Sequence, residues 1–309
     1  MMGAISRISL RIFCIVLIIK GYETTKTEFQ TRAENTIQVV EKNLHVEQCI
    51  QSAKEKANSV NEKYGDRHFA ALWISMYSRI CNIDENLLKQ DKTQNAFPFR
   101  LNKEIRCLKN TKRDPIIRET FVKVRNIINE ALDVFPKERH IQLYRGMTAW
   151  NFHNKKYFVE EGFFSTSSDA TPAFRFANGK YFLIVQDMDG FKIDNYVDER
   201  FKYQKEVLGK TGKMFEINRK VTDDAQIKAI LSELSINFDR VSGVDYPDTI
   251  IYIREVSVPS QLQAVINQQW SSMERYCSVD DVSRASSAVK RAIIIQLFLV
   301  MLSIFCNLR

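Results

Sequence analysis

The spacing of apolar residues changes near residue 138, and any fold must accommodate that change. Before it, apolar residues recur every three or four positions: Ile37, Val40, Leu44, Val46 and Ile50 within 30–64, then Phe69, Leu72, Trp73 and Met76 within 67–80. That period lays a stripe along a helix. A loop is expected around residues 95–98. A further helix is predicted over 115–135, with Pro115 just inside its start and Asp114 as its cap. After residue 138, aromatic and β-branched residues gather in short runs over 140–146, 181–187, 191–197, 213–218 and 249–258. Gly162, Gly190, Gly209 and Gly212 punctuate them. A short helix is expected over 171–177, capped by Ser168 or Asp169. Helices grouped ahead of strands predict an α+β fold: a helical part over 25–137, then a mostly β-sandwich core over 138–277.

The two ends follow another logic. Arg7 and Arg11 precede an apolar run over 12–19 that Lys20 closes, as in a secretory signal peptide over residues 1–21. Residues 278–309 form a polar spacer with small residues and then an apolar tail over 292–306. That pattern suits a GPI-attachment signal, with residues 278–287 as candidate attachment positions, or a short tail anchor flanked by Lys290 and Arg291. The formal net charge of +8 belongs to these ends. Residues 1–20 hold three basic groups and residues 284–309 hold four, with no acid in either, so the stretch between carries +1. Charge therefore gives no case for a nucleic-acid partner.

The cysteines point to the same compartment. Of six, Cys14 lies in the leader and Cys306 in the tail. Cys49, Cys81, Cys107 and Cys277 remain, an even number that predicts two disulfides outside the cytosol and allows three pairings. A Cys49–Cys277 bond would tie the ends of the domain together. In a cytosolic chain all four would be free thiols. No His or Cys spacing suggests a metal. No N-x-[ST] sequon is present.

The chemistry has few places to reside. There is no Rossmann or P-loop glycine pattern and no nucleophile elbow. Three segments stand out. In Leu143-Tyr144-Arg145-Gly146 an arginine interrupts an apolar strand. Its planar fork can hold phosphate or carboxylate, and Gly146 admits close approach to the backbone. Residues 161–167 read Glu-Gly-Phe-Phe-Ser-Thr-Ser, two aromatics running into three hydroxyls that can orient a carboxylate or a ribose. In 201–208, Gln204 and Glu206 are two apart, so on a strand both would share a face while Val207 points to the core. A carboxylate on a concave face can stabilise an oxocarbenium-like sugar. Alone, each segment is more often an edge arginine, a polar strand end or a solvated glutamate.

Taken in order, Tyr144-Arg145-Gly146, then Gly162-Phe163-Phe164-Ser165-Thr166-Ser167, then Gln204-x-Glu206-Val207-Leu208 resemble the Arg-Ser-Glu class of mono-ADP-ribosyltransferases, which includes GPI-anchored ectoenzymes and bacterial exotoxins. Phe215-Glu216-Ile217 fits the strand that follows. The resemblance implies an NAD-binding core with NAD as substrate, no metal, and a protein acceptor as partner. It implies that Arg145 contacts the NAD phosphates, that the Gly146 backbone binds the nicotinamide amide, and that Ser165 with Thr166 lies at the nicotinamide ribose. It implies that Ser165 holds Glu206, and that Glu206 stabilises the oxocarbenium-like state. Phe174 or Phe176 would stack near nicotinamide. Phe201, Tyr203 and Gln204 would face the acceptor.

Arginine-modifying members carry Glu two residues before the catalytic Glu, where this chain has Gln204. An amide neither accepts a proton nor attracts a guanidinium by charge. Gln204, with Phe201 three residues earlier, is similar to clostridial exoenzymes that modify asparagine. The leading expectation is a monomeric NAD-dependent ADP-ribosyltransferase, secreted or tethered at the cell surface, whose acceptor is arginine by the resemblance or another side chain by the Gln204 argument. The alternatives are an NAD glycohydrolase and a catalytically silent surface binding protein.

Overall fold

The computed structural model describes residues 26–60, 65–78, 97–108, 114–150, 152, 155–236, 241 and 243–257. The expected leader and tail, and Cys81 and Cys277, lie outside these residues. No described helix is long and apolar enough to cross a membrane.

Five helices come first: α1 (Glu28–Leu44), α2 (Glu47–Ser59), α3 (Gly65–Ser78), α4 (Phe97–Arg106) and α5 (Pro115–Val134). The helical stretch expected over 30–64 is thus two helices rather than one. His45 takes a left-handed conformation (φ 50°, ψ 55°) and its N–H closes on the Glu41 carbonyl, which ends α1. Thr27 caps the start of α1 by accepting the Gln30 N–H at 3.1 Å. At α5 the Asp114 carboxylate accepts the Ile116 N–H at 2.7 Å, as its sequence position predicts. Helix α4 is a correction. Its first residues fall where a loop was expected, yet Phe97, Leu101 and Ile105 are buried along one face.

The strands follow: β1 (Glu138–Met147), β2 (Tyr157–Glu160), β3 (Phe164–Ser167), β4 (Tyr181–Lys192), β5 (Glu206–Gly209), β6 (Lys213–Val221) and β7 (Thr249–Glu255). Helix α6 (Ala170–Ala177) and α7 (Asp224–Glu233) are inserted among them. Asp169, not Ser168, caps α6, accepting the Thr171 N–H at 2.9 Å. The strands form one seven-stranded sheet in the order β1-β3-β5-β4-β7-β6-β2, and β1 also pairs with β4. That second pairing closes β1, β3, β5 and β4 on themselves, so the sheet folds over its own core. All pairings are antiparallel except β4 with β7. The runs 181–187 and 191–197 are not two strands. β4 runs through Gly190 to Lys192 and the chain then leaves the sheet.

The α+β class holds, but helices and strands are not independent halves. Trp73, Phe97, Phe121 and Ile128 pack in the same cluster as Phe163, Ile193, Tyr196 and Leu208. The Ser75 hydroxyl donates to the Tyr196 carbonyl at 3.0 Å across that boundary. A second cluster lies within the folded sheet, with Leu143, Phe158, Phe164, Val185, Val207 and Phe215.

Candidate active site

Strands β3 and β5 place a hydroxyl and a carboxylate on one face. Their register pairs Ser165 with Leu208 and Ser167 with Glu206, which makes Ser165 and Glu206 diagonal neighbours. The Ser165 hydroxyl donates to Glu206 Oε1 at 2.5 Å. Val207 points the other way into the core and is fully buried. On β1, paired with Leu183 of β4, Arg145 donates from Nη1 to the Ser165 carbonyl at 2.8 Å. Its guanidinium lies 4.6 Å from the Phe164 ring centroid, a cation–π contact. Three residues spread over 61 positions therefore meet at one place.

They line a cleft of about 440 Å³, which is within the range of small-molecule sites. Gly146, Thr166, Phe176, Phe201, Tyr203 and Gln204 line it as well. Phe174 does not. It is buried beneath α6 in a third apolar cluster, while Phe176 is 51% exposed at the cleft. Thr166 is committed to the fold: its hydroxyl donates to the Val207 carbonyl at 2.9 Å and ties β3 to β5. Tyr203 is exposed, and Phe201 packs partly against the helical core.

Gln204 reaches the cleft differently from the expectation. It ends a 3-10 helix, Glu199–Gln204, and only Glu206 begins the strand. Lys205 between them is left-handed (φ 45°, ψ 52°). Two-residue alternation does not apply across such a residue. Ser167 fixes the junction by donating to the Gln204 carbonyl at 2.6 Å. Lys205 Nζ holds Asp169 at 3.0 Å, linking the junction to the cap of α6.

Gly146 also has a reason beyond ligand approach. A Cβ there would lie 2.0 Å from the Ala173 carbonyl oxygen and 2.1 Å from the Ala177 nitrogen. Helix α6 rests on the backbone of β1 at this point, so only glycine fits.

The helical part supplies residues that motif reading missed: Tyr77, Asn102 and Arg106 line the cleft. Asn102 accepts the Phe163 N–H at 2.7 Å and donates to the Tyr77 hydroxyl at 3.1 Å. Arg106 Nε donates to Glu160 Oε1 at 2.8 Å, and the Gly162 N–H reaches the same oxygen at 2.9 Å. A Cβ at residue 162 would be 2.8 Å from Asn102 Oδ1 and 3.1 Å from Arg106 Nη2, so glycine there makes room for α4. The buried stripe of α4 and Pro98 in its first turn were the available signals.

The electrostatics separate two buried glutamates. Burial pushes the Glu160 carboxyl up, but the Arg106 charge and hydrogen bond, with Arg145 and the Gly162 N–H, outweigh it and hold Glu160 below the usual range. Burial also pushes Glu206 up. Ser165 and Arg145 oppose this, Asp194 adds to it, and Glu206 stays above the usual range. Burial lowers Arg145 from its ordinary value and Glu160 counteracts it; an arginine remains charged regardless. Burial and the Glu206 charge lift the Tyr77 phenol, so it is neutral at physiological pH. Among the described residues no group of three His, Cys, Asp or Glu is placed to hold a metal ion. Cys49 and Cys107 are disulfide-bonded; the expected Cys49–Cys277 pairing involves a residue outside the described ones.

No protein-family model matches the sequence, and no curated protein matches it. Solved structures do. The eucaryotic mono-ADP-ribosyltransferase ART2.2 is 14% identical, covers 77% of this chain and 91% of its own, and superposes with a TM-score of 0.50. A glutamate-to-alanine mutant of ART2.2 in complex with NADH gives 13% identity, the same coverage and a TM-score of 0.51. ADP-ribosyltransferase HopU1 of Pseudomonas syringae pv. Tomato DC3000 is 12% identical over 76% of this chain and 100% of its own, with a TM-score of 0.48. This chain has the fold of the mono-ADP-ribosyltransferases.

Proposed function

We propose that this protein cleaves the nicotinamide–ribose bond of NAD and transfers ADP-ribose to a protein side chain. The observation that carries the reading is the convergence of Arg145, Ser165 and Glu206 in one cleft, joined by contacts of 2.8 and 2.5 Å. The NADH held by the ART2.2 mutant supports a dinucleotide as occupant. The bonding electrons leave with nicotinamide, which departs neutral from its cationic pyridinium form. Positive charge then develops on the ribose carbon and ring oxygen. Glu206 faces that charge from the cleft wall as a carboxylate fixed by Ser165. Ser165 orients Glu206, and Arg145 braces Ser165 while offering its fork to phosphate. The acceptor attacks the ribose carbon and gives up its proton to solvent.

Family resemblance points to arginine as the acceptor, and Gln204 argues for another side chain. Gln204 lines the cleft at the end of the 3-10 helix and carries no charge to draw a guanidinium. Water as acceptor, giving NAD glycohydrolysis, is the second reading, and the same residue favours it. The disulfide-bonded Cys49 and Cys107 support an oxidising compartment. They favour the reading of a secreted or surface-tethered protein.

Nicotinamide release from NAD tests the activity. Glu206→Ala should lower the rate about 100-fold or more. A folded wild-type protein that releases none would leave only a binding role. Gln204→Glu should raise labelling of agmatine, an arginine analogue; equal labelling by both forms would discard the acceptor argument.

A further inference from the structure

Gln204 and Glu206 are two positions apart, yet separate parts of the fold hold them. Glu206 is fixed by strand pairing, by the Ser165 hydroxyl at 2.5 Å and by the Ile193 N–H, which donates to its carbonyl at 3.0 Å. Gln204 ends a 3-10 helix none of whose six residues is buried. A segment with so little burial opens easily, so its ends decide where it lies. The start is tied to the helical part. Lys56 of α2 reaches Glu199 at 3.4 Å, and Ser75 and Ser78 of α3 both donate to the Tyr196 carbonyl, at 3.0 and 3.3 Å. The other end is tied to residues 167–169, between β3 and α6. The Asp169 N–H donates to the Ser167 hydroxyl at 2.9 Å, and that hydroxyl donates to the Gln204 carbonyl at 2.6 Å. The Ser168 N–H donates to the Lys205 carbonyl at 3.0 Å, and the Lys205 N–H closes on the Lys202 carbonyl at 3.1 Å. Asp169 divides its carboxylate: Oδ1 caps α6 through the Thr171 N–H, and Oδ2 takes Lys205 Nζ at 3.0 Å. Lys205 is left-handed at φ 45°, a conformation that a non-glycine residue keeps where its surroundings impose it. The ion pair with Asp169 is the part of that constraint which the Lys205 side chain itself supplies.

We propose that Asp169 and Lys205 are positioning residues for the acceptor side of the reaction. Their ion pair locks the left-handed junction, and the junction sets Tyr203 and Gln204 at the cleft wall independently of the hold on Glu206. This rests on the proposed transfer from NAD, and it adds what divides ADP-ribose between a side chain and water. With the junction locked, the wall beside Glu206 is a fixed surface against which an acceptor side chain seats. With the junction loosened, Glu206 still promotes the departure of nicotinamide, and water, which needs no seat, takes a larger share. Either acceptor forms the bond to the ribose carbon and loses a proton to solvent, so the pair changes the share and not the chemistry.

The experiment is a double-mutant cycle of Asp169→Asn and Lys205→Gln. Asparagine caps a helix about as well as aspartate, so α6 keeps its start while the charge is lost. Hydrogen exchange reads the junction directly. Each single variant should speed exchange of the Ser168 and Lys205 amides about twofold to fivefold, the range of an exposed ion pair, and the double variant should exchange no faster than the singles. Unchanged rates, or effects that add in the double variant, would overturn the inference. Product analysis reads the consequence. In the Gln204→Glu chain, supplied with NAD and agmatine, either further substitution should lower the ratio of ADP-ribosyl-agmatine to free ADP-ribose about twofold to fivefold, with total nicotinamide release changed by less than about twofold. An equal fall in both products would show that the pair only supports the fold, and an unchanged ratio would remove it from acceptor positioning. If no form releases nicotinamide the catalytic reading fails, and if none labels agmatine the acceptor argument fails; in both cases the exchange rates alone decide whether the pair locks the junction.

Discussion

The surroundings of Glu206 disfavour its ionised form. Burial raises its pKa, and Ser165 and Arg145 recover only part of the shift. A carboxyl whose folded pKa is raised stabilises the fold below its unfolded pKa, and that contribution is lost as pH rises through the folded pKa. Where the carboxyl is ionised its charge is a cost, so Glu206→Gln should raise the melting temperature at alkaline pH while abolishing nicotinamide release. A melting temperature equal to or below wild type would contradict this. Catalysis has the opposite sign, because the ionised form faces the developing cation. The acid limb of kcat/KM, which reports the free enzyme, should lie above the range of an ordinary glutamate. Asp194 raises Glu206 further, and Asp194→Asn should move that limb to lower pH. A limb that stays in place would exclude the coupling. Arg145, Ser165 and Glu206 were legible in the sequence because each sits in a run of distinctive neighbours. Phe174 and Phe176 were not separable, since two positions on one short helix are assigned to core or cleft only by what packs against it.

The element that sequence reading lost, α4, matters most for the site. Its stripe of Phe97, Leu101 and Ile105 is only ten residues long and begins beside Pro98, which reads as a turn. Its ion-pair partner, Glu160 at the end of β2, lies 54 residues beyond Arg106, so no local spacing shows the contact. Asn102 makes the joint: it satisfies the Phe163 N–H and meets Tyr77. Asn102→Ala leaves a buried backbone donor without its acceptor, which should cost about 1–3 kcal/mol, read as a lower denaturant midpoint at unchanged slope. A variant as stable as wild type would mean that α4 is held by its apolar face alone. The 3-10 helix gives the converse lesson. Gln204 and Glu206 do share the cleft, but through a left-handed Lys205 rather than strand alternation. The conclusion survived although its geometric premise failed.

At the scale of the whole molecule, the change of period at residue 138 gave the right class but concealed how closely its two sides are joined. The helical cluster runs into Phe163, Ile193 and Leu208 without a break, and the cleft takes walls from both. Alternation along single strands could not show that β4 continues past Gly190 or that β1 closes onto it, because pairing is decided across the sheet. This joint construction gives the disulfides a functional consequence. Cys107 directly follows Arg106, the last residue of α4, and is buried and disulfide-bonded. Losing native disulfides in an extracellular domain typically costs about 2–5 kcal/mol. Here the loss should fall first on the helix end that presents Asn102 and Arg106. Reduced protein should therefore melt at a lower temperature. On gradual warming it should lose ADP-ribose affinity before it loses helical circular dichroism, because α4 can detach from the β2–β3 turn while α1, α3 and α5 stay packed. If reductant leaves both the melting curve and the ADP-ribose affinity unchanged, the bond at Cys107 does not hold α4 against the site, and Asn102 and the apolar stripe must do so unaided.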